Sequence, residues 1–199
     1  MKVNDKNMTD IFEIRGQLRK RLKPRRYEHT LGVSYTAICL AMRYGCDLKQ
    51  AELAGLLHDC ARQYKTDEMI QQCKNYQIDI SEAERRNPLL LHAKLGAKMA
   101  SSEYHVEDPA IASAIRYHTT GRPCMTLLEK IIYLADYIEP RRDQAPDLEI
   151  VRPLAFQDLD ECIYQVMKHI LEYLEQTGGV IDETTKQAYL YYQEKENNR

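Results

Sequence analysis

Helix-starting and helix-stopping signals punctuate this chain from end to end, and strand signals between them are nearly absent. Residues 9–22 place Ile11, Ile14, Leu18 and Leu22 near helical spacing. Pro24 suits the first turn of a second helix running to about Tyr44, where Gly45 takes the place of a terminating glycine. Asp47 can cap a third helix that reaches about Gln63, and Thr66 a fourth. Ser81-x-x-Glu84 is a capping box before a short turn, and Thr126-x-x-Glu129 is another, opening a helix that ends at Glu139-Pro140. Asn87-Pro88 and Asp108-Pro109 each read as an N-cap followed by proline, opening helices at about 88–101 and 109–117. Residues 141–153 carry Pro146 and Pro153 and read as a loop with a short helix at most. A long helix at about 158–176 stops at Gly178-Gly179, and a last one spans about 183–196, with the tail Glu194–Arg199 expected to fray. No alternating β-branched run is bounded by turn residues. The expectation is a single all-α domain over residues 1–199.

Composition narrows the classes of function. A chain of 199 residues, 44% hydrophobic, can bury a core without staples. Lys+Arg 28 against Asp+Glu 30 gives a net charge of −2, which argues against a nucleic-acid footprint. The clusters Pro24-Arg25-Arg26 and Glu84-Arg85-Arg86 read as solvated helix faces. No apolar run approaches the roughly 20 residues that span a bilayer, so no membrane role is expected. The polar start Met1–Asn7 lacks the apolar stretch of an export signal. Cysteines at 39, 46, 60, 73, 124 and 162 form no CxxC pair and read as reduced thiols of a cytoplasmic protein.

The polar residues inside apolar stretches carry the functional signal. Leu53-Ala54-Gly55-Leu56-Leu57-His58-Asp59-Cys60-Ala61 is apolar except for one imidazole and one carboxylate. Ile131-Ile132-Tyr133-Leu134-Ala135-Asp136-Tyr137-Ile138 is apolar except for Asp136. Such groups are expensive to bury unless paired or coordinated. Each alone is more often a hydrogen-bonded core residue or a cap; the set changes the balance. His29 shares a helical stripe with Val33, Thr36 and Leu40, and His58 and Asp59 flank one edge, so a cation against that edge can take both. Imidazole with carboxylate suits zinc, iron, manganese or cobalt rather than magnesium or calcium. His92 and His118 have similar surroundings, whereas His105 and His169 read as structural or surface residues.

His29…His58-Asp59…Asp136 resembles the H…HD…D signature of the HD-domain metal-dependent phosphohydrolases. Five ordered motifs narrow the resemblance further. They are Arg26-x-x-His29-x-x-Gly32-Val33; Gly55-Leu56-Leu57-His58-Asp59-Cys60-Ala61-Arg62; His92-Ala93-x-Leu95-Gly96-Ala97; Ile115-Arg116-Tyr117-His118-Thr119-Thr120-Gly121; and the run from Leu128 through Asp136 to Pro140-x-Arg142. Together they resemble the bacterial HD-domain symmetrical diadenosine tetraphosphate hydrolases, the YqeK-like family, over about residues 10–190. The resemblance implies an all-helical HD-domain bundle, and iron or a similar transition metal, as one ion or two, with zinc, manganese and cobalt as alternatives. It also implies cleavage of diadenosine tetraphosphate to two ADP.

On the residues themselves, the reading stops at metal-assisted hydrolysis of a phosphate ester or anhydride; attack of a metal-bound hydroxide on a central phosphorus is what the resemblance implies. His29, His58, Asp59 and Asp136 are the expected first ligands, with Asp59 bridging to a second metal held by His92 and His118; with one metal, those two histidines would contact phosphate instead. Asp59, His92, His118 and Arg62 are the catalytic candidates. Arg62 follows His58 by one helical turn and offers a planar fork for phosphate. Arg26, His29, Lys94, Thr119, Thr120 and Arg142, with Arg62, His92 and His118, are the candidate substrate contacts. For each arginine the bland reading is a surface charge or salt bridge, and Glu139 is a candidate partner for one of them. The competing functions are another HD-superfamily nucleotide phosphatase or phosphodiesterase, a non-catalytic nucleotide-binding regulator, and a structural protein with buried polar networks. A homodimer through exposed apolar faces of the C-terminal helices is compatible with the pattern.

Overall fold

The computed structural model describes residues 10–145 and 147–199; Met1–Thr9, with the polar start, and Pro146 fall outside the described residues. Among these, every regular element is a helix: α1 (Ile11–Arg21), α2 (Pro24–Tyr44), α3 (Leu48–Leu57), α4 (Thr66–Asn75), α5 (Glu82–Arg86), α6 (Leu91–Ser102), α7 (Pro109–Tyr117), α8 (Leu127–Ile138), α9 (Leu148–Ala155), α10 (Leu159–Thr177) and α11 (Glu183–Asn197). Two 3-10 turns, Cys60–Gln63 and Pro88–Leu90, complete the set. The all-helical expectation holds, and no described helix is long and apolar enough to cross a membrane.

Most boundaries follow from local chemistry. The Asp47 carboxylate accepts the Gln50 N–H at 2.8 Å, and Asp108 accepts from Ala110 at 2.8 Å, each satisfying an otherwise unpaired first-turn donor. Ser81 with Glu84 and Thr126 with Glu129 form reciprocal capping boxes. Gly45 and Gly178 close α2 and α10 at φ 73° and 66°, a region that favours glycine.

Several boundaries differ from expectation. α3 ends at Leu57 rather than near Gln63, because the Gly55 carbonyl, which a continuing helix would offer to the Asp59 N–H, is engaged by His58 Nδ1 at 2.7 Å. Thr66 is the first residue of α4 and not its cap; Lys65 precedes it, its N–H donated to Glu68 at 2.8 Å. Asn87 caps nothing with its side chain, and Pro88 opens a 3-10 turn ahead of α6. The stretch at 148–155 is a helix despite Pro153, and it ends two residues beyond that proline. The tail is docked: Lys195 Nζ meets Asp160 at 2.5 Å, and Arg199 grips Asp158 with two bonds of 2.7 and 3.1 Å.

α2 is the spine, packed against α3 and α8, with α7 closing on α6 and α8. Gly55 allows that approach, since a Cβ there would meet Ser34 Cα at 2.7 Å. Fully buried Leu40, Leu56, Ile131 and Ile132 fill the junction, each contributing about 1.5–3 kcal/mol on transfer from water. The consequence for function is positional. The outer end of α2, the break after α3, the start of α6, the end of α7 and the last turn of α8 meet around one point.

Candidate metal centre

Four histidines meet at that point, and each is anchored through the same ring nitrogen. His58 Nδ1 donates to the Gly55 carbonyl at 2.7 Å and His118 Nδ1 to the Ile115 carbonyl at 2.7 Å. His92 Nδ1 donates to the Leu89 carbonyl, and His29 Nδ1 lies 3.0 Å from Glu139 Oε1. Carbonyl and carboxylate oxygens only accept, so Nδ1 carries the proton and Nε2 presents a lone pair. For His58, His92 and His118 the anchor is the carbonyl three residues back, so helix geometry itself aims each Nε2 inward.

The lone pairs converge on two carboxylates. Asp59 Oδ2 lies 3.5 Å from His58 Nε2 and 3.9 Å from His29 Nε2, while its Oδ1 lies 3.3 Å from His92 Nε2. Asp136 Oδ1 lies 3.0 Å from His29 Nε2 and 3.9 Å from His58 Nε2. His92 Nε2 and His118 Nε2 stand 3.1 Å apart, and Thr119 Oγ1 is 3.2 Å from the latter and 3.4 Å from the former. One hydroxyl proton can satisfy only one of them. The Nε2 atoms of His29 and His58 are buried with no hydrogen bond of proper geometry. Such atoms normally find partners. A cation supplies one for the whole group, and three overlapping sets fit it: His29, His58 and Asp59; His58, His118 and Asp136; Asp59, His92 and His118. This mixed nitrogen and oxygen donor set suits a divalent transition metal.

The electrostatics agree. Burial alone would strip a proton from His58, but the neighbouring Asp59 outweighs it and raises its pKa. Burial and nearby His92 and His58 push His118 down to about 3, and burial lowers His92. Burial favours the neutral form of both carboxyls, yet the imidazoles, with Arg26 beside Asp59 and Arg142 beside Asp136, hold both below the usual range. The pocket is negative where the carboxylates lie, and two of its imidazoles stay unprotonated and free to donate lone pairs.

The arginines distribute unevenly. Arg26 Nη1 bonds Asp59 Oδ2 at 2.6 Å, and Arg142 Nη2 bonds Asp136 Oδ1 at 2.9 Å, so both sit at the centre but on its carboxylates. Arg62 makes no side-chain hydrogen bond or ion pair among the described residues, and it is close enough to depress His92 further. Arg62 reaches there from a 3-10 turn rather than from a continuing helix. Lys94 is held away by Glu84 at 2.8 Å and the Asp79 carbonyl at 3.2 Å. Thr120 donates to the Gly121 carbonyl at 3.0 Å, and Arg122 pairs with Glu129 at 2.8 Å. Beside His29 a cleft of about 510 Å³ is lined by Lys23, Arg25, Arg26, Arg141 and Arg142, together with Glu28, Glu139 and Asp143.

Sequence reasoning missed the support of His29. Glu139 is buried, faces His29 through Oε1 and accepts the Arg141 N–H through Oε2 at 2.8 Å. A Cβ at Gly32 would lie 2.4 Å from Glu139 Oε2, so glycine leaves the room that carboxylate needs. Arg152 fixes the turn by donating to the carbonyls of Ile138, Glu139 and Arg142 at 3.0, 3.0 and 2.7 Å. The available signals were a carboxylate closing an apolar helix before Pro140 and a glycine one turn after His29.

The family model described as HD domain matches residues 26–141, a span that holds all six residues of the centre. A Bacillus subtilis protein named bis(5'-nucleosyl)-tetraphosphatase, symmetrical, is 45% identical over 157 residues, covering 79% of this chain and 83% of its own. A Halalkalibacterium halodurans protein of the same name is 41% identical, covering 88% and 95%. A Clostridium acetobutylicum crystal structure, described as a predicted HD superfamily hydrolase involved in NAD metabolism, superposes with TM-score 0.90 at 35% identity, covering 94% and 98%.

Proposed function

We propose, from the premise that this chain belongs to the HD domain family, that it is a metal-dependent hydrolase cleaving diadenosine tetraphosphate symmetrically to two ADP. The observation that carries the reading is the convergence of four Nε2 lone pairs on two carboxylates, each ring already committed through Nδ1. His29, His58, Asp59 and Asp136 would hold one cation. His92 and His118 would hold a second, with Asp59 shared, since its two oxygens face different histidines. Iron is our assignment, with zinc, manganese and cobalt compatible with the same donors. When bound, the cation supplies hydroxide near neutral pH and polarises the phosphoryl oxygens.

The rest of the work falls to this chain's side chains. Phosphoryl transfer asks a protein mainly for positioning and charge stabilisation. Arg26 and Arg142 each use part of a five-donor fork on a carboxylate, leaving other N–H groups for phosphate oxygens. Arg62, unpaired beside His92, is the free counter-charge. His92 and His118 have no Nε2 proton to give a phosphate, which favours them as cation ligands over direct substrate donors. Thr119 can donate to an oxygen once Nε2 is otherwise engaged. Lys94 and Thr120, held elsewhere, are left out of the proposed contacts. We place the chain in the cytoplasm as one HD unit with its core at about 10–190, a reading supported by its free cysteines.

The test is product analysis of diadenosine tetraphosphate by ion-exchange chromatography, with Asp59→Ala beside the unaltered protein. ADP alone, absent from the variant, is expected. AMP with ATP would refute symmetrical cleavage, and no turnover would refute the substrate.

A further inference from the structure

The helix that follows the Asp136 turn supplies no ligand, yet its arginine reaches the support of two. Arg152 lies in α9, and among the described residues its side chain bonds only to main-chain carbonyls. Nε donates to Ile138 at 3.0 Å, and Nη2 donates to Glu139 and Arg142 at 3.0 and 2.7 Å. The last carbonyls of a helix have no partner within it. Ile138 and Glu139 are the last residue of α8 and its cap. Arg152 therefore closes α8 and binds the turn at Arg142 to it.

Two of those carbonyls belong to residues whose side chains hold proposed cation ligands. Glu139 Oε1 lies 3.0 Å from His29 Nδ1 on α2. Arg142 grips Asp136 on α8 twice, Nη2 to Oδ1 at 2.9 Å and Nε to the carbonyl at 2.9 Å. A shift of the turn would move both holds at once. α9, which carries the guanidinium, is itself moored at both ends. At its start the Asp147 carboxylate does not cap the helix; Oδ2 instead accepts the Tyr137 hydroxyl at 3.5 Å and pairs with His169 on α10. At its end the Phe156 carbonyl accepts Arg43 Nε at 2.8 Å, and the Ala155 carbonyl accepts the Tyr44 hydroxyl at 2.9 Å, both from the last turn of α2. Beside Arg152, Val151 is fully buried, and its carbonyl accepts the Cys162 thiol at 3.4 Å.

Resting on the cation site proposed above, we infer that Arg152 is a positioning residue for that site: from a moored α9 it sets Glu139 and Arg142 together, and so fixes His29 and Asp136 as one unit. It bonds to neither ligand itself. The facing atoms of those ligands, His29 Nε2 and Asp136 Oδ1, come from different helices and stand 3.0 Å apart. A common support keeps that spacing when either helix moves. Loss of an outer hydrogen bond to a ligand costs about 10- to 100-fold in metal affinity. Arg152 acts one bond further out, so the low end, about tenfold, is expected. The role calls for arginine, because three acceptors lie around one planar fork, whereas lysine offers a single ammonium.

The test uses the full chain with cobalt(II) alone as the probe, since its visible absorption depends on the geometry of its ligands. Affinity is read by competition with a chelator. Arg152→Lys keeps the charge and an aliphatic stem but loses the fork; it should weaken cobalt binding about tenfold and shift the spectrum. In a Glu139→Gln background the same substitution should cost about threefold or less, because part of its route to the site is already gone and groups that act through one another are not additive. Ile14→Ala, which removes a buried side chain from α1, should lower thermal stability and leave both cobalt readings unchanged. Unaltered affinity and spectrum in Arg152→Lys overturn the inference and leave the cation site standing. An equal loss in the Glu139→Gln background makes Arg152 a general stabiliser and overturns the inference, as does the same spectral shift in Ile14→Ala. No cobalt uptake by the unaltered protein removes the site and the inference with it.

Discussion

Glu139→Gln tests the support of the centre without touching a proposed ligand. The carboxylate has two acceptor oxygens, one facing His29 Nδ1 at 3.0 Å and one taking the Arg141 N–H at 2.8 Å. A carboxamide has one oxygen and one NH₂, so either orientation sets a donor against a donor. If the NH₂ faces His29, the ring loses the acceptor that fixes its Nδ1–H tautomer, and Nε2 ceases to be a dependable lone pair. If it faces Arg141, the turn leading to Arg142 and Asp136 must shift. Loss of such an outer hydrogen bond to a ligand imidazole costs about 10- to 100-fold in metal affinity or activity. The assay is competition for the cation by a chelator of known affinity, alongside kcat/KM. Both should fall by a similar factor. Gly32→Ala, whose new Cβ would lie 2.4 Å from Glu139 Oε2, should reproduce the defect from the opposite side. A Glu139→Gln protein with unaltered cation affinity and activity would refute the argument.

Two further outcomes follow from individual side chains. Arg62→Ala should lower kcat/KM by roughly 10- to 100-fold, the range of a charge-assisted hydrogen bond, while cation content stays constant because Arg62 holds no proposed ligand; a drop in cation content would place Arg62 in the structure of the centre instead. At Asp160, burial alone would raise the carboxyl pKa, but hydrogen bonds from Lys130 and Lys195 outweigh it and lower it. A depressed folded pKa gives stability that is present above the unfolded value near 3.9 and lost as pH falls through the folded one. Asp160→Asn should therefore flatten the loss of thermal stability below about pH 4, and an unchanged acid profile would show that the carboxylate is not what holds α11 to α10.

Features whose chemistry is local could be read from the sequence. Capping boxes at Ser81 and Thr126, and the glycines at 45 and 178, involve partners three or four residues away, and they mark where helices open and close. His58, Asp59 and Asp136 stood out because polar groups in apolar runs need partners, and the structure brings them together with His29, His92 and His118. Features set by distant partners stayed hidden. Glu139 meets His29 across 110 positions, and its place at the end of an apolar helix marks the carboxylate without naming its partner. Lys94 stands in a motif beside His92 as a candidate phosphate contact, and only the structure shows Glu84 pairing with it. Asp158 and Asp160 read only as the start of α10, although they also dock the tail that was expected to fray as a terminus. The early end of α3 has a local cause, the His58 side chain engaging the Gly55 carbonyl, but that competition is invisible to helix periodicity.

The central claim is that the imidazole and carboxylate cluster works by holding a cation while diadenosine tetraphosphate is split at its centre. The most direct measurement is ADP release after exhaustive chelation and dialysis, and again after ferrous iron, zinc, manganese or cobalt is restored. The account predicts loss of turnover on stripping, recovery with at least one of these metals, and no recovery in Asp59→Ala. A metal-free chain that releases ADP at an undiminished rate would contradict it.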